Sequence, residues 1–172
     1  MEQLGGLSIL VITPGRQQYC ETLEELTTED FDATFKTNVY APFWITRAAL
    51  PHLQAGSAII NTTSVQAYKP SPILLDYAQT KACLAIFTKS LAKQVAKRGI
   101  RVNAVAPGPY WTVLQSQRRP AGREGETVWQ RHADGAPGAT GRDRPAVCHP
   151  GIRCLLIYLG QVWCSDGGDG VV

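Results

Sequence analysis

The sequence lacks several features that would place it in particular classes of protein. It has no run of about 18 or more apolar residues, so we expect no membrane-spanning helix and no membrane partner. Its first residues have no basic stretch followed by a long apolar one, which argues against a secretory signal. The five cysteines are odd in number and form no Cys-x-x-Cys pair, so we expect neither a disulfide framework nor a metal site. These absences predict a soluble, cytoplasmic protein.

Lysine is missing from residues 113–159, which nevertheless hold seven of the eleven arginines of the chain. Glycine and proline are frequent there, and helical or strand periodicity is weak before Cys154. Because the arginines are interleaved with acidic residues, we expect no nucleic-acid partner. The composition predicts a poorly ordered segment and divides the chain into three parts: 1–112, 113–159 and 160–172.

Three short β-rich runs alternate with two helical stretches in the first part. The runs are 7–12, 57–63 and 100–106, and the helical stretches are 28–52, with Thr28 as N-cap, and 77–98, closed by Gly99. Strands that alternate with helices are typical of parallel crossover connections. The sequence therefore predicts an α/β fold with a doubly wound parallel sheet of the Rossmann-like kind.

Residues suited to ligand binding follow each predicted strand. Gly15 comes after the first, Ser64 after the second, and Pro107 and Gly108 after the third. In open parallel sheets, ligands bind in the crevice at the carboxyl ends of the strands. We therefore expect these three loops to meet at one site.

Tyr77 and Lys81 are four residues apart in a predicted helix. This spacing brings their Cβ atoms to about 5–6 Å on one face. An ammonium at that distance favours the phenolate form, so we expect Lys81 to lower the pKa of Tyr77 towards neutrality. The hydroxyl of Ser64 could then hold a carbonyl or alcohol oxygen beside this proton donor. The three side chains are suited to interconverting an alcohol and a carbonyl.

Pro42 lies inside the first helical stretch, four residues after Asn38. Proline has no N–H to donate to the carbonyl four residues earlier, so we expect a kink that leaves the Asn38 carbonyl available for a water molecule.

Together these residues resemble the motifs of the short-chain dehydrogenase/reductase family. The similarity includes Tyr77-Ala78-Gln79-Thr80-Lys81, Ser64 with the preceding 59–63, Asn38, and 101–108. It implies a small alcohol or carbonyl substrate and NAD or NADP as cofactor. It also implies Asn38, Ser64, Tyr77 and Lys81 as catalytic residues. The cofactor-binding residues that it implies are Gly15, Asn38, Thr62, Tyr77, Lys81, Pro107, Gly108, Tyr110 and Thr112.

The resemblance covers the second half of such an enzyme, so the sheet is expected to be partial and truncated at its N-terminus. No glycine-rich phosphate-binding turn is present, and Ile12-Thr13-Pro14-Gly15 stands where the family has Asn-Asn-Ala-Gly. Residues 160–168 resemble the family's ending again, which suggests that a reading-frame or splice departure produced the segment before them.

Three functions stay open: an oxidoreductase, a catalytically inactive remnant, and an interaction module. The module would form homo- or hetero-oligomers, for example with a full-length relative, through the helices of Asn38 and Tyr77.

Overall fold

A computed structural model of the chain describes residues 6–108 and 159–165, with only the backbone of Ser165. These residues form a four-stranded parallel sheet in the order β1-β2-β3-β4. Helical segments connect β1 to β2 and β2 to β3. The strands are β1 (Leu7–Ile12), β2 (Leu53–Thr62), β3 (Arg101–Pro107) and β4 (Val162–Ser165).

Three α-helices accompany the sheet: α1 (Thr28–Phe35), α2 (Ala41–Ala49) and α3 (Leu75–Val95). Short 3-10 helices occur at Leu23–Glu25, Leu50–His52, Val65–Ala67 and Ala96–Arg98. The N-cap of α1 is Thr27, whose side chain accepts a hydrogen bond from the Asp30 backbone N–H at 3.1 Å. The prediction of Thr28 as N-cap is therefore wrong by one residue, because Thr28 already has helical geometry.

The kink predicted before Pro42 takes the form of a π-helical turn at Lys36–Tyr40, between α1 and α2. Its wider loop is closed by a hydrogen bond from the Ala41 N–H to the Lys36 carbonyl. Such a turn accommodates a residue that cannot continue the regular α-helical ladder. Asn38 lies within the turn and is completely buried.

The core lies between α3 and one face of the sheet. Leu91, Ala92 and Val95 of the helix pack on Ile59 and Val102, which are paired neighbours on β2 and β3. Both sheet residues are 0% exposed. Because both sides of this helix–sheet contact are buried, α3 is held firmly against the strands. The side chains at the N-terminal end of α3 are held in place with it.

Gly99 ends the connection from α3 to β3 in the left-handed conformation, with φ of 69°. A Cβ atom at this position would lie 3.1 Å from the Cβ of Ala55. Both the backbone angle and the close approach require glycine, which confirms the predicted helix end.

The predicted fold class is confirmed, since all four strands are parallel. The first predicted strand has the observed bounds, and the other two differ at their ends by one to four residues. The predicted irregular segment lies outside the described residues except for Leu159. Among the described residues, no helix is long and apolar enough to cross a membrane.

Candidate active site

The loops after β1, β2 and β3 converge at the carboxyl edge of the sheet, as their positions after the strands predicted. Ser64, just beyond β2, contacts the Pro107 carbonyl at the end of β3, with 3.4 Å between Oγ and the carbonyl oxygen. On the other side of β2, Lys81 Nζ donates to the Pro14 carbonyl of the loop after β1, at 2.8 Å. The structure thus brings Ser64, Tyr77, Lys81 and the loop at Pro14 to one edge.

The local structure around Ser64 fixes its side chain. Ser64 is the N-cap of the 3-10 helix at Val65–Ala67, and its Oγ accepts a hydrogen bond from the Gln66 N–H at 3.2 Å. The Gln66 side chain accepts from the Ser71 N–H at 2.6 Å, which braces the loop that leads to α3. The Ser64 hydroxyl also acts on the phenol of Tyr77, whose pKa it lowers as a hydrogen-bonding neighbour. This places a serine hydroxyl and a phenol together at the site.

Tyr77 is buried, with 9% of its surface exposed. Burial raises the pKa of its phenol, and the hydrogen bond with Ser64 offsets only part of that rise. The prediction that Lys81 lowers this pKa towards neutrality is therefore wrong for the chain as described. Lys81 Nζ does lie close, at 5.4 Å from the ring centroid, but desolvation of the phenol is the largest cause of the pKa shift and raises it.

Lys81 is 2% exposed, which is unusual for a lysine. Its ammonium donates to the carbonyls of Pro14 and Thr62, at 2.8 and 2.9 Å. Burial lowers its pKa to about 8, so the side chain remains mostly protonated at neutral pH. An ammonium has three donors, and the described residues provide two acceptors. The third N–H can serve a ligand hydroxyl.

The side-chain amide of Asn38 is committed to the protein. Its Oδ1 accepts from the Arg16 N–H at 2.9 Å, and its Nδ2 donates to the Arg16 carbonyl at 2.7 Å and to Thr80 Oγ1 at 3.0 Å. All the hydrogen-bonding groups of the amide except one lone pair are thus used. The amide is therefore occupied by protein groups, and the availability of the Asn38 carbonyl for a water molecule stays a prediction.

Three residues of this network escaped the sequence analysis: Pro14, Arg16 and Thr80. Pro14 was noted only as part of a departure from the family's motif, whereas its carbonyl is an acceptor for Lys81. Arg16 contributes its backbone, which no side-chain pattern reveals. Thr80 stands inside the Tyr-x-x-x-Lys motif, and that position was the one available signal.

The remaining predicted cofactor-binding residues have mixed outcomes. Gly15 is exposed beside Pro14; Pro107 ends β3, Gly108 follows it, and both are partly buried. Thr62 offers its carbonyl to Lys81, while its hydroxyl is buried and has no hydrogen-bond partner in the described structure. Tyr110 and Thr112 lie outside the described residues. No group of three or more His, Cys, Asp or Glu in residues 6–108 and 159–165 could hold a metal ion.

A second feature lies on the helices, away from the strand ends. Residues of the π-helical turn, α2 and α3 enclose an apolar groove of about 460 Å³. Trp44 in this groove is 56% exposed, which is high for so large an apolar side chain. The groove is lined by Val39, Tyr40, Phe43, Trp44, Cys83, Leu84 and Phe87. We refer to these seven residues as the helical groove.

A parallel α/β sheet with a serine, tyrosine and lysine at its carboxyl edge defines the Rossmann-like class of protein. Comparison with known proteins identifies the family. The family model described as Enoyl-(Acyl carrier protein) reductase matches residues 1–141. General stress protein 39 of Bacillus subtilis is 45% identical over 99% of this chain and 59% of its own length. The chain belongs to the short-chain dehydrogenase/reductase family.

Solved structures agree with this assignment. A dehydrogenase/reductase from Sinorhizobium meliloti has a TM-score of 0.82 and 35% identity, over 98% of this chain and 66% of its own. A short chain dehydrogenase from Burkholderia cenocepacia, in complex with NADP, has a TM-score of 0.81 and 32% identity, over 97% and 67%. The chain spans between 38% and 59% of the length of the first curated relatives that it matches.

Proposed function

We propose that this protein is an oxidoreductase that interconverts a small alcohol and a carbonyl with NAD or NADP. The observation that carries the proposal is the buried ammonium of Lys81, 5.4 Å from the ring centroid of Tyr77, with Ser64 at the same edge of the sheet. These groups stand at the carboxyl edge of the sheet, where parallel α/β folds bind ligands.

Tyr77 is the proton donor and acceptor in this proposal. In the reductive direction its phenol gives a proton to the substrate oxygen, and in the oxidative direction its phenolate removes one. Because burial holds the phenol protonated, the group is ready to act as an acid at neutral pH. Ser64 donates its hydroxyl proton to the substrate oxygen and orients it towards Tyr77. In the described structure this proton is directed at the Pro107 carbonyl, 3.4 Å from Oγ, and a substrate oxygen would replace that long contact.

Lys81 supports Tyr77 electrostatically. A phenolate that forms in the buried site is stabilised by the ammonium near its ring. The third N–H of Lys81 is suited to a ribose hydroxyl of the cofactor. The proton that leaves Tyr77 is replaced through Lys81 and a water molecule held by the Asn38 carbonyl.

The residues that would hold the nicotinamide end of the cofactor are those at the strand ends. When bound, NAD or NADP supplies or accepts the hydride. The NADP complex of the Burkholderia cenocepacia relative supports this choice of cofactor. The proposed contacts are Gly15, Asn38 through its carbonyl, Thr62, Tyr77, Lys81, Pro107 and Gly108, with Tyr110 and Thr112 beyond the described residues.

The test is the oxidation of reduced nicotinamide cofactor in the presence of aldehydes, ketones and sugars. Tyr77→Phe is expected to lower kcat by a factor of about 10² to 10⁴, the range typical of a lost general acid or base. Lys81→Met is expected to lower it as well. The matched control is Lys89→Met, since Lys89 is exposed on the same helix. Turnover that is insensitive to Tyr77→Phe would contradict the proposal.

The helical groove supports a second function, association with another copy of the chain or with a full-length relative. An exposed tryptophan in an apolar groove of this size is unusual for a surface that stays in water. A chain that is catalytically inactive could still act through this surface. Self-association of the purified chain, or its co-purification with a longer relative, would support this function.

The organisation and location of the protein are proposals too. Val162–Ser165 pairs with β3, which supports treating residues 160–172 as part of the fold after the segment 113–159. The free thiols of Cys20 and Cys83 are consistent with a reducing cytoplasm. Cell fractionation and limited proteolysis would test the two proposals.

A further inference from the structure

Helix α3 carries two threonines with the same hydrogen-bonding pattern, Thr80 and Thr88. Both are 0% exposed. The hydroxyl of each donates to a carbonyl of its own helix and accepts from the side-chain amide of a buried asparagine. The distances are 2.7 Å to the Tyr77 carbonyl and 3.0 Å from Asn38 Nδ2 for Thr80, and 2.8 Å to the Leu84 carbonyl and 2.9 Å from Asn61 Nδ2 for Thr88.

We call each threonine–asparagine hydrogen bond a bridge. The two bridges differ in what else the asparagine side chain contacts. Asn61 is inside β2, and its Oδ1 is buried without a hydrogen-bond partner in the described structure. Asn38 holds both backbone groups of Arg16, its N–H and its carbonyl. Only the Thr80 bridge therefore reaches the loop after β1.

That loop also presents the Pro14 carbonyl to the ammonium of Lys81. Pro14 and Arg16 are two residues apart, so the position of one limits that of the other. Thr80 and Lys81 are adjacent on α3. The chain of contacts thus runs from α3 through Asn38 to the loop and returns to α3 at the catalytic lysine.

We propose that Thr80 is a positioning residue, whose hydroxyl orients the Asn38 amide and so holds the loop at 14–16 against Lys81. The hydroxyl proton of Thr80 is committed to the Tyr77 carbonyl, so its oxygen can only accept from Asn38. It therefore faces the NH₂ end of the amide and turns Oδ1 towards the Arg16 N–H. A side chain without a hydroxyl imposes no such orientation. The catalytic consequence rests on the proposed function, whereas the structural one does not.

The experiment compares Thr80→Val, Thr80→Ser and Thr88→Val in the full chain. Hydrogen exchange of the Arg16 amide is measured relative to that of Val102, a core residue of β3. Thr80→Val is expected to speed the relative exchange of Arg16 by about tenfold, as a lost hydrogen bond of ordinary strength implies. Thr88→Val removes the same kind of bond elsewhere and is expected to leave the ratio unchanged. Thr80→Ser keeps the hydroxyl and should keep the ratio of the unmodified chain.

The second measurement is the titration of Lys81, monitored by carbon NMR of its side chain. The Lys81→Met variant assigns the signal. A loosened loop admits water to the ammonium, so the midpoint should rise in Thr80→Val and stay in place in Thr88→Val. The same variants are assayed for kcat where turnover is measurable, with kcat expected to fall in Thr80→Val alone.

Each outcome bears on the proposal. Equal Arg16 exchange ratios in Thr80→Val and Thr88→Val would overturn it, and so would a Thr80→Ser variant that behaves like Thr80→Val. If Thr80→Val does not fold, the Thr80→Ser variant decides. Fast exchange of the Arg16 amide in this variant, which keeps the hydroxyl, would contradict the proposed bridge. Exchange at the rate of the unmodified chain would support it. If exchange responds as expected while no variant shows turnover, the positioning role stands and the proposed enzymatic function fails.

Discussion

The Lys81 ammonium donates to the Pro14 carbonyl, 2.8 Å away and 67 residues earlier in the chain. This contact joins α3 to the loop after β1 and keeps a lysine almost completely buried. It has consequences for stability as well as for the proposed chemistry, since a buried charge makes folding depend on pH.

Stability should therefore rise with pH in a window set by Lys81. Its pKa is about 8 in the folded chain, below the ordinary 10.5. Between these values the unfolded chain holds the proton and the folded chain does not, so the free energy of unfolding increases with pH; below about 8 both states are protonated and the cost of burial is fully present. Relative to Lys81→Met, the gain should be on the order of 3 kcal/mol at most. Urea unfolding across this window measures it, with Lys89→Met as the exposed control.

Loss of the Ser64 hydroxyl should raise the pKa of Tyr77 further. The hydrogen bond with Ser64 is the contribution that lowers this pKa, against the larger effect of burial. Absorbance titration of Ser64→Ala, with Tyr77→Phe subtracted to isolate the one phenol, is the measurement. Ser90→Ala removes an exposed hydroxyl on α3 and should change nothing. A lower titration midpoint of Tyr77 in Ser64→Ala would contradict the assigned effect of the Ser64 hydroxyl on this pKa.

Thr63→Val should destabilise the chain. The Thr63 hydroxyl is buried and donates to the Lys81 carbonyl at 2.6 Å, so its removal leaves a buried acceptor without that partner. The expected cost is about 1–3 kcal/mol. Thr37→Val is the matched control, because Thr37 makes the same kind of bond, to the Ala33 carbonyl, on an exposed surface. Its cost should be within about 0.5 kcal/mol of zero, and equal losses for both variants would refute the assigned role of burial.

Substitutions at two glycines test whether steric crowding adds to the cost of backbone strain. Gly99 and Gly56 both have positive φ, of 69° and 92°. An added Cβ at Gly99 would meet Ala55, whereas none of the surrounding atoms lies within 4 Å of one at Gly56. Gly99→Ala should therefore lower the free energy of unfolding by more than Gly56→Ala does. Each substitution alone should lower it by about 1 kcal/mol or more. Thermal unfolding compares the two, and a costlier Gly56→Ala would contradict the crowding at Gly99.

Trp44→Glu should abolish association if the helical groove is the contact surface. A charge in an apolar contact loses its hydration without gaining a partner, which typically costs several kcal/mol. Sedimentation velocity at several concentrations measures the effect. Leu23→Glu is the control, because Leu23 is 65% exposed and lies outside the helical groove. If both variants associate like the unmodified chain, the surface lies elsewhere.

Local patterns predicted much of this molecule. The run from Leu7 to Ile12 and the turn residues after it were enough to define a strand with the observed bounds. The helix end at Gly99 followed from one residue whose backbone freedom is needed there. Tyr77 and Lys81 share a helix, so their proximity depends only on helical geometry.

Contacts between distant parts of the chain were not predictable in the same way. The sequence gives no sign that Asn38 faces Arg16 and Thr80, because that depends on how α3 packs beside the π-helical turn. The direction of the Tyr77 pKa shift was predicted wrongly for a related reason. Spacing indicates that a cation is near, but burial, which decides the sign here, is a property of the whole fold.

The sequence by itself thus determined the parallel α/β class, the order of strands and helices in residues 7–107, and the residue types at the strand ends, because strands, helices and turns depend on neighbouring residues. Tertiary structure alone decided which groups those residues contact and how strongly they hold their protons. Desolvation and long-range hydrogen bonds exist only once α3 has packed on the sheet and closed over the loop at Pro14.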